Sequence, residues 1–411
     1  VKRDGPLREG FTTGTAAAGA AKTAALLLLT GHAPVTVDVP LPGNGRMELA
    51  VAEARREGDA AVATILKDGG DDPDVTHGAR IGCRVAFAGD AQPGEVRVDG
   101  GEGVGRVTLP GLPVAVGQAA INPAPRAQIA AAVAEAATEV GYGGGLSAVV
   151  TVADGQRLAK KTLNPRLGIV GGISILGVSG IVRPFSHDAW EASIAEAMDV
   201  ARALGHDTLG FSTGRRSEAL LQKALPHLPE TACIQAADCF GFALKQAAKR
   251  GFRAIVWAAF CGKLVKMAQG LANTHAHRGD TDFSALADWC AAAGWPKELA
   301  NQAASANTAR HAFEMAETPE AKAALAGVLA DEALRHMRRF AGDDPELTLL
   351  VFDFDGVELC RGAAPAPRAG GGCPPPPPPG PLVRGPGVED GLGAHLLHDL
   401  LAGGVGVHGQ Y

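Results

Sequence analysis

The sequence predicts two folded domains of different class. An α+β domain with a mostly antiparallel sheet is expected over residues 1–183, an α/β domain with a parallel sheet over 184–360, and a disordered Pro/Gly-rich tail over 361–411. Three observations carry this reading. Between 35 and 98, short β-type runs follow one another with only Gly, Pro and Asp turns between them. From 188 to 260, strand and helix patterns alternate, which implies crossover connections and parallel strands. In the last segment 23 of 51 residues are Gly or Pro, with consecutive prolines at 374–379, a composition that builds no packed core.

Taken in order, 15–29 favours a helix, with hydroxyl residues ahead of it and Gly31 just past its end, where a left-handed cap costs little. This helix is apolar nearly all round and is therefore expected to be buried. Strands are expected at 35–39, 47–51, 61–66, 80–87 and 95–98, a helix at 125–140, a strand at 146–152 and a Gly-punctuated apolar ribbon at 168–182. Asp188 and Glu191 have capping-box spacing ahead of a helix that ends at Gly205. A strand at 208–212, a helix at 217–225, a strand at 232–236, a helix at 239–250 and a strand at 252–260 follow. Mainly helical sequence at 283–340 then leads to a last strand at 347–354.

The length of 411 residues accommodates two or three domains of ordinary size. With 44 acidic against 38 basic residues the net charge is -6, which excludes a protein drawn to nucleic acid or anionic membranes by bulk charge; an anionic ligand needs a local basic pocket. Aromatic residues make up only 5%, so Ala, Val, Leu and Gly must build the core. The seven cysteines are irregularly spaced without a C-x-x-C, which argues against a disulfide framework or a zinc ribbon and fits a reducing cytoplasm. The longest apolar stretch, 16–29, is interrupted by Lys22 and is shorter than a bilayer span, so no membrane partner is expected.

Several segments carry candidate chemistry. The run 10–15 (GFTTGT) brings Thr12, Thr13, Gly14 and Thr15 to a helix N-terminus, where amides and hydroxyls can hold an anion; plain N-capping uses the same groups. Residues 69–78 crowd Asp71, Asp72, Asp74 and His77 into one turn region. Carboxylates held close repel, so one of them can keep a proton near neutrality, or the group can take a hard cation; a solvated Asp-rich turn has the same composition. The glycines at 100–105 and 141–145 allow close backbone approach or tight hairpins. Along 164–180 the missing side chains imply that a ligand or another strand packs on the backbone. The run 211–218 (FSTGRRSE) lies at the carboxyl edge of the parallel sheet, where Thr213, Gly214, Arg215 and Arg216 suit a carboxylate or phosphate, or else form a solvated loop. The run 261–266 (CGKLVK) takes the corresponding place after a later strand but lacks the glycine and hydroxyl of a P-loop. His275 and His277, with Asp280 and Asp282 nearby, have metal-ligand character, although near a helix end the two imidazoles diverge. The G-x-G-x-x-G at 404–409 has no strand before it and no helix after it.

In their order these segments resemble one family, the cobalt-precorrin-5B C1-methyltransferases of anaerobic corrin biosynthesis. The carrying residues are 10–15 (GFTTGT), 67–78 (KDGGDDPDVTHG), 100–107 (GGEGVGRV), 120–126 (AINPAPR), 164–183 (NPRLGIVGGISILGVSGIVR), 213–218 (TGRRSE), 262–266 (GKLVK) and 273–275 (NTH), spread over 8–355. The chain departs from the family pattern at Ala259 and Phe260, where a Gly-His pair is usual ahead of GKLVK, and in its Pro-rich tail.

The resemblance implies methyl transfer from S-adenosylmethionine to C1 of a ring-contracted cobalt tetrapyrrole. Cobalt is then part of the substrate, and no protein-held metal and no nucleic-acid partner are expected. It gives Arg166, Arg183, Arg215, Arg216 and Lys263, with the Thr12–Thr13–Gly14–Thr15 turn, the task of holding the substrate and its acetate and propionate carboxylates. Gly171, Gly172, Ser174, Gly177, Thr213 and Gly214 are the candidate donor site, and Asp71, Asp72, Asp74 and His77 the candidate acid/base group. A homo-oligomer stays open. So do two other function classes, a metal-dependent hydrolase using His275 and His277 and a non-catalytic corrinoid carrier.

Overall fold

The computed structural model describes residues 6–275 and 280–366. It divides into two compact units, the first running to Glu196 and the second starting at Ala197. The division falls later than the 183 expected from sequence. The strand Ile181–Val182 pairs with Gly10–Phe11, and the Phe185 amide donates to Asp72, so this stretch is tied into the first unit.

The first unit contains β1 (Gly10–Phe11), α1 (Thr13–Thr30), β2 (Thr36–Pro40), β3 (Arg46–Ala50), β4 (Glu53–Glu57), β5 (Ala60–Leu66), β6 (Arg80–Phe87), β7 (Val96–Gly100), β8 (Gly103–Val104), β9 (Arg106–Val107), α2 (Pro123–Glu139), β10 (Leu146–Val152), α3 (Gly155–Ala159), β11 (Ile169–Val170), β12 (Gly172–Ile173) and β13 (Ile181–Val182). Its five-stranded sheet has the order β4-β5-β6-β10-β7 and is antiparallel except for the β10–β7 pair. β2 and β3 form a separate antiparallel pair. The first helix starts where the Thr12 hydroxyl accepts the Thr15 amide and stops at Gly31, which has φ 79° and donates to the Leu27 carbonyl.

Alanine is what buries α1. Ala16, Ala17, Ala18, Ala20, Ala21, Ala24 and Ala25 are fully inaccessible, and small side chains let the helix backbone approach its neighbours closely. The one charged residue of the helix, Lys22, is buried and reaches Glu135 and Glu139 of α2 at 3.0 Å each. Burial opposes its charge, but the hydrogen bonds to both carboxylates outweigh that and raise the ammonium pKa above its usual value.

The helix α4 (His187–Ala203) follows. The expected cap at Asp188 is displaced by two residues: the helix begins at His187, and the Ser186 hydroxyl accepts the Ala189 amide at 3.3 Å. The second unit then contains β14 (Thr208–Ser212), α5 (Arg215–Ala224), β15 (Cys233–Gln235), α6 (Phe240–Lys249), β16 (Ala254–Phe260), α7 (Cys261–Ala268), α8 (Phe283–Ala292), α9 (Lys297–Ala303), α10 (Ala309–Glu314), α11 (Pro319–Ala341), β17 (Glu346–Phe352) and β18 (Glu358–Ala364). The sheet order is β15-β14-β16-β17-β18, with the first four strands parallel and β18 antiparallel at the edge. Strand order reverses at β14, whose neighbours β15 and β16 both come later in the chain. In open α/β sheets that reversal opens a crevice at the carboxyl ends of the strands.

The mainly helical segment expected at 283–340 is four helices, α8 to α11, the last two started by the capping hydroxyls of Thr308 and Thr318. One expectation is corrected here. The tail does not begin at 361. Arg361 to Ala364 pair with β17, and the Arg338 guanidinium donates to the Ala364 carbonyl at 2.9 Å. Edge-strand pairing rests on backbone groups, so a Gly- and Ala-rich composition does not reveal it. The rest of the expected tail, 367–411, lies outside the described residues. Among the described residues no helix is long and apolar enough to cross a membrane.

Candidate active site

In the first unit, two backbone segments cross at van der Waals distance. A Cβ at Gly10 would lie 2.3 Å from the Gly69 carbonyl carbon, and one at Gly70, which has φ +68°, would lie 2.2 Å from the Arg8 carbonyl oxygen. Only glycine fits such a crossing. It is fastened by Phe11 N–H to the Asp68 carbonyl at 2.8 Å and Asp71 N–H to the Arg8 carbonyl at 2.9 Å. The Arg8 guanidinium clasps the Asp68 carboxylate and holds its pKa below the usual carboxylate range.

This crossing sorts the four candidate acid/base residues. Asp74 forms a buried ion pair with Lys67, and its second oxygen accepts the Thr76 amide at 2.7 Å and hydroxyl at 2.6 Å. Asp71 accepts the Arg8 amide at 2.8 Å. His77 Nδ1 accepts the Gly69 amide at 3.1 Å, which assigns the ring proton to Nε2. Asp72 differs from all of them. Its Oδ1 accepts the Phe185 amide at 2.9 Å, while Oδ2 is buried with no hydrogen-bond partner among the described residues. Phe185 itself has φ 55°, a costly value for an aromatic residue. An unsatisfied buried carboxylate oxygen beside a strained backbone is a pattern of functional sites.

Sequence reasoning did not single out Arg8, Lys67 or Asp68 as site residues. Arg8 lies just ahead of GFTTGT and Lys67–Asp68 open the Asp-rich segment, so proximity to the motifs was the available signal.

Most of the other first-unit candidates have partners within the fold. The Thr12 hydroxyl caps α1, the Thr13 hydroxyl accepts the Leu176 amide at 3.0 Å, and the Thr15 hydroxyl donates to the Gly180 carbonyl at 2.9 Å. All three threonines are buried. A Cβ at Gly14 would press on Pro125 at 2.9 Å. A Cβ at Gly172 would lie 2.1 Å from the Gly103 carbonyl oxygen, and one at Gly177 2.5 Å from the Thr12 side chain, so at both positions another protein segment packs on the glycine. The Ser174 hydroxyl donates to Asn164 at 3.4 Å. Gly171, with φ +89°, faces open space. Arg166 sits in the 3-10 turn Asn164–Leu167, and Arg183 pairs with Glu9 at 3.2 Å.

In the second unit the carboxyl edge carries the remaining candidates. α5 begins at Arg215, earlier than the expected 217, because the Ser217 hydroxyl folds back to accept the Thr213 and Gly214 amides at 3.0 and 3.2 Å. Arg215 and Arg216 therefore stand in the first helical turn, where the helix dipole adds to their positive charge. Neither has a carboxylate partner among the described residues. Lys263, by contrast, is paired with Asp238. The carbonyl of His275 accepts the Lys266 ammonium at 3.2 Å, and His277 lies outside the described residues.

Comparison with known proteins decides the family. The CbiD family model matches residues 1–184, and the model of the CbiD C-terminal domain matches 273–363. The chain belongs to the CbiD family. Among its relatives, the cobalt-precorrin-5B C(1)-methyltransferase of Nitratidesulfovibrio vulgaris is 51% identical over 362 residues, covering 86% of this chain and 92% of that protein. The proteins of the same name from Geobacillus kaustophilus and Salinispora arenicola are 47% and 42% identical, over 75% and 86% of this chain and 82% and 92% of theirs. The crystal structure of a cobalamin biosynthesis protein (cbiD) from Archaeoglobus fulgidus is 29% identical, covers 65% of this chain and 81% of that one, and aligns with a TM-score of 0.36.

Proposed function

We infer that this CbiD-family chain is a C-methyltransferase of cobalamin biosynthesis that methylates C1 of cobalt-precorrin-5B. The carrying observation is the 51% identity, over 86% of the chain, to a protein bearing that name. Neither the hydrolase nor the carrier reading draws support from these relatives.

S-adenosylmethionine is the proposed donor and supplies a sulfonium methyl. The C–C bond to ring carbon C1 forms as the S–CH₃ bond breaks, with the bonding pair returning to sulfur. Such a displacement needs no protein nucleophile; the protein aligns the reactants and stabilises shifting charge. Arg215 and Arg216, without carboxylate partners of their own, are proposed to meet carboxylates of the macrocycle. Within the first unit, Asp72, whose buried Oδ2 has no hydrogen-bond partner among the described residues, is the proposed acid/base group, with His77 in the same loop. A carboxylate-bearing donor fits the Thr213–Gly214 turn, where nothing lies within 4 Å of the Gly214 Cβ position and the Arg215 charge is adjacent.

The test is mass spectrometry of cobalt-precorrin-5B after incubation with the protein and S-adenosylmethionine labelled in its methyl group. One labelled methyl gained, and none without protein, is the expected result. Recovery of unmethylated tetrapyrrole defeats the reading.

A further inference from the structure

We propose that Phe260 and Phe354 are positioning residues that fix the Arg216 guanidinium for a carboxylate of the tetrapyrrole. The inference rests on the substrate reading above and adds residues that reading did not contain.

The Arg216 guanidinium carbon lies 5.1 Å from the centre of the Phe260 ring, and its Nη2 donates to the Phe354 carbonyl. The two rings are parallel within 6° at 6.4 Å. A second guanidinium, Arg310, lies 4.8 Å from the Phe354 centre and is balanced by Glu314 at 2.6 Å. Four side chains from four separate segments thus make one stacked run. Among the described residues only one of its two cations is neutralised by a carboxylate.

Placement and energetics explain why this matters for binding. Phe260 is the last residue of β16, which neighbours β14 at the point where strand order reverses. A free arginine loses side-chain rotamer entropy when a ligand immobilises it. A ring beneath the guanidinium and a carbonyl at one edge remove much of that freedom beforehand. Among the described residues only one of the five N–H donors is engaged, so the others stay available to a carboxylate.

The experiment is steady-state methyl transfer by the full chain, together with the Kd for cobalt-precorrin-5B from equilibrium dialysis. Phe260→Leu is expected to raise both KM and Kd for the tetrapyrrole about 3- to 10-fold, the range of a cation–π contact. The kcat stays within about twofold and the KM for S-adenosylmethionine does not change, a split that general loosening of the fold does not produce. Phe260→Tyr, which keeps the ring, is expected to restore wild-type values. Should Phe260→Leu fail to fold, Phe260→Met decides, because it keeps most of the side-chain bulk and loses the ring beneath Arg216. Unchanged tetrapyrrole KM and Kd in the folded variant, with active wild type, overturn this inference alone. Absent methyl transfer by wild type overturns the methyltransferase reading, and the Kd comparison still decides the role of Phe260.

Discussion

The two units treat charge in opposite ways. In the first, the backbone crossing of residues 8–11 over 68–70 brings many charged groups together and neutralises most of them: Arg8 with Asp68, Lys67 with Asp74, Arg183 with Glu9. What remains is an acceptor, the buried Oδ2 of Asp72. In the second, the carboxyl edge keeps donors, Arg215 and Arg216, and steadies one of them on aromatic rings. The cores differ in parallel. Alanines pack α1, whereas Phe211, Phe240 and Trp257 fill the second unit, with Phe240 meeting Trp257 edge-on at 4.9 Å. A tight crossing leaves room only for groups that satisfy one another. An open parallel sheet makes a crevice by its topology and can leave charges facing it.

The contrast breaks hardest at Lys67. Replacing it with Met leaves the Asp74 carboxylate buried without its cation, and urea denaturation is expected to show a loss of about 3–5 kcal/mol. Asp72→Asn is expected to cut kcat roughly 100-fold or more, the scale of a lost acid/base group, while the melting temperature moves by only a few degrees. Full activity in that variant removes Asp72 from the chemistry.

Two glycines sharpen the difference between the crossing and the open edge. Gly10→Ala is expected to cost about 1–3 kcal/mol of stability through overpacking, and Gly214→Ala, where no atom lies within 4 Å, close to nothing in the same denaturation assay. Arg215→Gln is expected to raise the tetrapyrrole KM several-fold through loss of a charge-assisted contact, whereas Arg183→Gln, already answered by Glu9, changes it less than about twofold.

The smallest effect is a pH dependence. Arg46, then Lys22, hold the Glu135 carboxyl down at about 2, and Arg8 holds Asp68 below its usual range. Both folded values are depressed, so the stability they contribute is present above the unfolded carboxyl pKa and is lost as pH falls through the folded values. The first unit is therefore expected to lose stability in a window from about pH 4 to about pH 2, a slope that Arg46→Gln reduces in acid titrations followed by circular dichroism.

Much of this was written locally in the chain. The Thr12 cap, Gly31, the alternation of strand and helix after 205 and the turn glycines all act over a few residues, so their patterns show in the sequence. The ordered motifs also named the family. Tertiary structure decided the rest. The runs 10–15, 67–78 and 164–183 read as separate candidates, and only long-range pairing makes them one assembly in which Thr12, Thr13 and Thr15 hold backbone and Asp72 keeps an oxygen without a partner among the described residues. The space at Gly172 and Gly177 was open to ligand or protein until the chain around Gly103 and Thr12 filled it. Phe260 and Phe354 are ninety-four residues apart and neutral, so neither composition nor spacing marks them as partners of Arg216. The physical reason is one of range: caps, turns and periodicity are fixed by neighbours along the chain, whereas which groups end up neutralised depends on surfaces that meet only when distant segments bury one another.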